Sequence, residues 1–236
     1  MKFVLDAHTH TIASGHAYST LLENVNYAAE KGLELVGITD HAPAMEGSFG
    51  SAYFINFGVI PREINGVKVR MGVELNIIDY DGNVDLPDFY LERMDYAIAS
   101  LHPPCIPFGT LEQNMNAIFK VMENKYVKIL GHPGDPRYPI DCEALVKKSA
   151  ETGTLIEINN ASLVPNGFRG GSEKYIFDIL KLCKKMEVPV IAASDAHFCT
   201  HIGDFTYVEK MFEQAEFPKE LVVNRSVEEF EKYITK

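Results

Sequence analysis

Short, continuously apolar runs alternate with helical hydrophobic patterns along nearly the whole chain, and this alternation constrains the fold most. Phe3-Val4-Leu5, Glu34 to Thr39, Val67 to Ile78, Tyr96 to Leu101, Val127 to Leu130, Thr154 to Ile158 and Val188 to Ala193 read as strands. Residues 20–31, 110–124 and 172–186 read as helices, as do a segment from Asp141 and a tail from Ser226. Ile176, Ile179, Leu180 and Cys183 have the spacing of one helix face. Asp141 is a natural N-cap, and Ser226 with Glu229 forms a capping box. The strand runs lack in–out alternation, which suits parallel strands buried on both faces. Repeated β-then-α units without a Pro-, Gly- or Ser-rich linker predict a single α/β domain over residues 1–236. Periodicity alone leaves open a barrel or an open doubly wound sheet. Residues 42–66 and 79–87 interrupt the pattern, the second as a hairpin with its turn at Asp81-Gly82.

Charge narrows the partners. Lys and Arg total 22 against 33 Asp and Glu, a net charge of −11, and no basic cluster exceeds Lys147-Lys148 or Lys184-Lys185. A protein that grips nucleic acid through phosphates shows a basic face, so no nucleic-acid partner is expected. No segment approaches 18 apolar residues, so no membrane span is expected either. The N-terminus lacks a secretory pattern, and Cys105, Cys142, Cys183 and Cys199 form no C-x-x-C motif. Free thiols in a reducing cytoplasm follow as the expectation.

Seven of the eight histidines fall at, or just after, the end of a predicted strand. His8 and His10 close the first, with His16 in the loop behind them. His41 closes the second, His102 the fourth and His132 the fifth; Asp195 and His197 follow the seventh, and Glu74 lies near the end of the third. Both candidate folds gather such residues at the carboxyl edge of the sheet. A lone histidine in an apolar segment is usually a satisfied core residue, but seven at the same end of their strands predict a metal cluster. Imidazole and carboxylate suit zinc, iron and manganese. His8-x-His10 puts two imidazoles on one side of a strand. Nine donors exceed what one ion takes and suit three, with Glu74 bridging two. Seven neutral imidazoles, two carboxylates and three divalent ions leave a pocket of about +4, suited to a small dianion such as a phosphate monoester. No Walker A loop, G-x-G-x-x-G, G-x-S-x-G or H-E-x-x-H is present, so water activated by metal is the expected nucleophile, held by His8, His10, Glu74 and Asp195.

Asp6-Ala-His8-Thr-His10-Thr, Gly37-Ile-Thr-Asp40-His41, Gly131-His132-Pro133 and Ser194-Asp195-Ala-His197 resemble the PHP (polymerase and histidinol phosphatase) superfamily. The similarity is closest to its YcdX-like phosphatase branch. Gly72-Val-Glu74-Leu-Asn76, His132-Pro-Gly-Asp-Pro136 and Glu157-Ile-Asn159-Asn160 extend it over nearly the whole chain. The resemblance implies a distorted seven-stranded (β/α) barrel, TIM-like. It also implies phosphoesterase activity and a trinuclear centre, usually zinc, with manganese or iron in other members. The nine positions above match its ligands: His8, His10, His16, His41, Glu74, His102, His132, Asp195 and His197.

Four further residues are candidate substrate contacts. Arg169 lies in a loop before a helix, a natural phosphate position, and Arg137 has a similar claim. Asn159 and Asn160 end the sixth strand, where amides reach either substrate or strand-end turns. His201 reads as exposed or supporting, and Cys105 and Cys199 as free thiols. The leading expectation is hydrolysis of a small phosphorylated substrate. Histidinol-phosphate phosphatase and a nuclease-type phosphodiesterase are the alternatives. An amidohydrolase is disfavoured because His102 stands where that fold commonly carries a bridging Lys, and a non-catalytic metal store is a further reading. Association into a homo-oligomer stays open.

Overall fold

The computed structural model describes residues 1–235. Nine strands form: β1 (Leu5–Thr9), β2 (Leu35–Ile38), β3 (Glu63–Ile64), β4 (Val67–Met71), β5 (Val73–Asn76), β6 (Ala97–Ser100), β7 (Val127–Leu130), β8 (Leu155–Asn159) and β9 (Val190–Ala193). Seven α-helices accompany them: α1 (Leu21–Glu30), α2 (Asp88–Leu91), α3 (Leu111–Met122), α4 (Cys142–Thr152), α5 (Ser172–Met186), α6 (Thr206–Gln214) and α7 (Val227–Ile234).

The strands make two sheets, ordered β1-β2-β4-β3 and β5-β6-β7-β8-β9, parallel throughout except at β3. They meet at both seams. On one side a parallel bridge joins Thr9 to Ala196, and Asp195 N donates to His8 O at 3.0 Å. On the other, a bridge joins His41 to Glu74. With β4 and β5 sharing one place, the result is a distorted (β/α)7 barrel.

The expected single strand from Val67 to Ile78 is therefore two. It breaks at Gly72, whose N donates to Ile38 O at 2.8 Å before β5 turns to pair with β6. A Cβ at Gly72 would lie 2.8 Å from the Tyr96 carbonyl oxygen, so only glycine lets the backbones pass this closely. Asn65 (φ 52°) and Gly66 (φ 79°) make the tight turn that returns β3 to β4. The 79–87 segment is smaller than a hairpin of two strands: one bridge joins Ile77 to Val84.

Helix starts follow the expected chemistry. Thr20 and Thr110 form capping boxes and Asp141 accepts from Ala144 N, whereas at Ser226 only half of the expected box forms, the hydroxyl accepting from Glu229 N. The outer core lies between helices and sheets. A second core fills the barrel interior with Leu5, Ala7, Leu35, Ile98, Ile129 and Ile191, and fully buried Phe230 of α7 packs against it. Among the described residues, no helix is long and apolar enough to cross a membrane.

Candidate metal centre

All nine expected ligand positions come together beyond the C-terminal ends of the strands, the side the inner core leaves open. Glu74, wholly buried at the second position of β5, is the hub. Its Oε2 lies 2.8 Å from His41 Nδ1, 3.3 Å from His8 Nε2 and 3.5 Å from His10 Nε2. Its Oε1 lies 2.9 Å from His132 Nε2 and 3.2 Å from His102 Nε2. Asp195 Oδ1 is 3.1 Å from His10 Nε2 and 3.6 Å from both His8 Nε2 and His197 Nδ1. His16 Nε2 faces His197 Nε2 at 3.0 Å. His8, His10, His41, His102 and His132 are buried, whereas His197 is half-buried and His16 exposed. The His16–His197 side is thus the open side of the centre.

Two backbone positions are strained to achieve this. His132 has φ 29° and Asp195 φ 57°, each at a cost of roughly 1–3 kcal/mol. Hydrogen bonds hold them: His132 N donates to Glu157 Oε2 at 2.6 Å, and Asp195 N donates to His8 O.

The donor set fits divalent cations. His8 Nδ1 donates to Glu157 Oε1 at 2.6 Å, and His10 Nδ1 to Ser14 Oγ at 2.9 Å. Their Nε2 atoms then face each other across 3.0 Å. Two lone pairs at that distance repel unless a proton or a metal ion lies between them. Glu74 Oε2 and His41 Nδ1, although 2.8 Å apart, are both buried without a hydrogen bond of proper geometry, which a bound cation would satisfy. Three overlapping groups have ligand atoms within 4.8 Å of one another: His10, His41 and His197; His8, His10 and Glu74; His41, Glu74 and His102.

The electrostatics agree. Burial and the neighbouring His197 and His41 depress His10, burial depresses His102, and burial with His41 and His197 lowers His16 to about 4. These imidazoles are neutral near pH 7, as ligation requires. Burial opposes ionisation of Glu74 and Asp195, but His8, joined at Asp195 by the Arg169 guanidinium, and hydrogen bonds from neighbouring imidazoles outweigh it and hold both carboxyls well below their usual range. His8 is the exception. Burial pulls it down, yet Glu157, Glu74 and Asp195 together push it well above the ordinary imidazole value. That shift favours, in the metal-free chain, a proton on His8 that relieves the His8–His10 repulsion.

Sequence reasoning missed the residues that orient these ligands. Besides Glu157, Asn76 Oδ1 accepts from His102 Nδ1 at 2.7 Å, and Ser100 Oγ donates to Glu74 Oε1 at 2.6 Å. Glu157 had a readable signal, being the one charged residue inside the buried run Leu155–Asn159.

The four substrate candidates separate. Arg169 reaches the centre, with Nη1 3.0 Å from Asp195 Oδ2. Asn159 points inward but is committed to the protein, donating to Glu157 and Asp195 and accepting from Ser162. Asn160 caps α6 instead: its Oδ1 accepts from Tyr207 N and Val208 N. Arg137 is held on buried Asp135 through Nε and Nη2, with its guanidinium 4.3 Å from the Phe168 ring centre. His201 is exposed. All four cysteines are free, and burial pushes the Cys105 thiol up to about 12, which makes it a poor metal ligand.

The sequence matches the PHP domain model over residues 6–161. A probable phosphatase of Clostridium novyi (strain NT) is 50% identical over 224 residues, covering 95% of this chain and 91% of the relative. One of Acetivibrio thermocellus is 46% identical over 234 residues, covering 99% and 96%. Among solved structures, the histidinol phosphate phosphatase of Lactococcus lactis, complexed with zinc, L-histidinol and phosphate, superposes with a TM-score of 0.62 at 16% identity. That likeness covers 91% of this chain and 94% of the other, and it concerns the fold. With the family model matching well over half its length and relatives near half identical along nearly all of it, the chain belongs to the PHP domain family.

Proposed function

We propose that this PHP-family phosphatase releases phosphate from small phosphate monoesters at a three-ion centre held by His8, His10, His16, His41, Glu74, His102, His132, Asp195 and His197. The observation that carries this reading is the convergence of six imidazoles on two carboxylates held ionised in a buried site, with a seventh, His16, set against His197. Divalent ions held there supply Lewis-acid polarisation of phosphoryl oxygens and acidify a water to serve as nucleophile. Zinc suits the imidazole-rich set, and manganese or iron would follow cellular supply.

The chain's own residues do the rest. Glu74 lies within reach of five imidazoles and would hold ions together with them. Glu157, Asn76 and Ser14 each occupy an imidazole Nδ1, which aims Nε2 inward. Arg169 offers a planar cation beside Asp195, so a phosphate oxygen can take the donors left over from that ion pair. The half-open His16–His197 side admits a small ester, and a net charge of −11 disfavours a long polyanion. With free cysteines and no helix able to cross a membrane among the described residues, the cytoplasm is the proposed location.

Elemental analysis beside a p-nitrophenyl phosphate assay tests the proposal. About three ions per chain are expected, with phosphate release that a chelator abolishes. His10→Ala and Asp195→Ala should lose metal and turnover while staying folded. One ion or none, with no turnover after reconstitution with zinc or manganese, would overturn it.

A further inference from the structure

Asp40 stands immediately before His41 but touches none of the proposed ligand atoms. It is 1% exposed, and its carboxylate collects four hydrogen bonds. Oδ1 accepts from Thr11 N at 2.6 Å and Ser14 Oγ at 2.7 Å, and Oδ2 accepts from Thr11 Oγ1 at 2.8 Å and Tyr53 Oη at 2.7 Å. A fully buried carboxylate with four donors is an expensive arrangement to keep for packing alone.

Proton bookkeeping gives it a purpose. Ser14 has one hydroxyl hydrogen, and it donates that hydrogen to Oδ1 of Asp40, both of whose carboxyl oxygens are already faced by other donors. Ser14 Oγ must then act as acceptor toward both other neighbours, His10 Nδ1 at 2.9 Å and His41 N at 3.1 Å. The hydroxyl is saturated, and its polarity is set by the carboxylate behind it. His10 is thereby confined to the tautomer with hydrogen on Nδ1 and a lone pair on Nε2, the atom facing Asp195 and Glu74. The same oxygen anchors the backbone amide of His41.

The second carboxylate oxygen couples this device to the 42–66 insertion. Tyr53, from the turn at Ser51–Ile55, donates its hydroxyl to Oδ2, and its ring packs on Phe54 and Phe57, the buried anchors of that insertion. Burial and Asp40 both raise the Tyr53 phenol, which keeps it a donor.

We propose that Asp40 is a positioning residue for the metal centre: through Ser14 it fixes the His10 tautomer and the His41 backbone, and through Tyr53 it makes the seating of the 42–66 insertion part of metal affinity. This inference rests on the metal reading of the site, and its test separates the two.

The test is zinc affinity, measured by competition with a chromophoric chelator on wild type, Asp40→Asn, Ser14→Ala and Tyr53→Phe, with far-ultraviolet circular dichroism and metal-free melting as the check on folding. Histidine nitrogen-15 spectra of the metal-free proteins report the His10 tautomer. Asp40→Asn and Ser14→Ala should each weaken zinc binding by about 10- to 100-fold. They should also move the His10 nitrogens away from the Nδ1-protonated pattern. Tyr53→Phe, which removes one hydroxyl and folds most safely, should weaken zinc binding by a smaller factor with the tautomer unchanged. Wild type that binds no zinc would fail the metal reading itself. Wild type that binds zinc, with Ser14→Ala and Tyr53→Phe binding equally well and an unaltered His10 signature, would overturn the role of Asp40 alone. If Asp40→Asn does not fold, those two variants decide the matter.

Discussion

Glu157→Gln isolates the orientation of the ligands from the ligands themselves. The carboxylate accepts from His8 Nδ1 and His132 N, both at 2.6 Å, and from Asn159 Nδ2 at 3.0 Å. Glutamine has the same shape but one oxygen, so either His8 or His132 meets an amide donor instead of an acceptor. Losing a charge-assisted bond of this kind costs about 1.5–3 kcal/mol. For a chain of this length that is a fall of roughly 3–12 °C in the metal-free Tm, at about 2–4 °C per kcal/mol. Loss of a partner that orients a metal-binding imidazole lowers metal affinity by about 10- to 100-fold, or roughly 1.4–2.7 kcal/mol. The pH dependence changes as well. In wild type, Glu157 is the leading charge that raises His8, so zinc must displace a proton from it. Without Glu157 that proton is held less tightly, and zinc affinity should fall less steeply on acidification. Chelator competition at several pH values, beside thermal melting, measures all three effects. A folded Glu157→Gln protein with wild-type zinc affinity and the wild-type pH slope would refute the reasoning.

Arg169→Ala should raise KM for p-nitrophenyl phosphate about tenfold with little change in kcat, the signature of lost uniform binding; an unchanged KM removes Arg169 from the substrate site. Acidification should destabilise the metal-free chain between about pH 6.5 and 4. His10, His16 and His102 are depressed, so the unfolded chain binds protons there that the folded chain refuses; His8 and the buried Asp6, both raised, act in the opposite sense. A metal-free Tm that rises steadily through that window on acidification would contradict the assignment. Gly37→Ala would set a Cβ 1.9 Å from Tyr96 Oη, whose hydrogen bond to Ala7 O spans the barrel interior. A loss of about 1–3 kcal/mol from overpacking is expected, seen as a lower denaturant midpoint, and no loss would mean that Tyr96 moves aside freely.

The ligands were legible in the sequence because polar side chains at the ends of apolar strands stand out. His8, His41, Glu74 and His132 each interrupt a run that otherwise reads as core. Periodicity could not decide between a closed and an open sheet, because both bury parallel strands alike; closure rests on single bridges at Thr9–Ala196 and His41–Glu74. The break at Gly72 carried a signal, a glycine inside a strand run, but its cause is the distant carbonyl of Tyr96. Helix α6 was only half legible: Asp204 accepts from its first amide, Thr206 N, but the next two amides go to Asn160, 47 residues before Tyr207. Asn160 read as a substrate contact for the same reason: only tertiary structure shows which amide turns inward.

The two sheets have a further consequence for how the protein opens. Each is a continuous hydrogen-bonded ladder, but where they meet the ladder thins to isolated bridges. The proposed ligands divide across that line, with His8, His10, His16 and His41 carried by the β1–β2 half and Glu74, His102, His132, Asp195 and His197 by the other. An ion shared between the halves is a rivet through both seams. In amide hydrogen exchange, the bonds from Glu74 N to Asp40 O and from Asp195 N to His8 O are the natural gauges of that rivet. Their protection should drop on chelation well before the strands on either side let go.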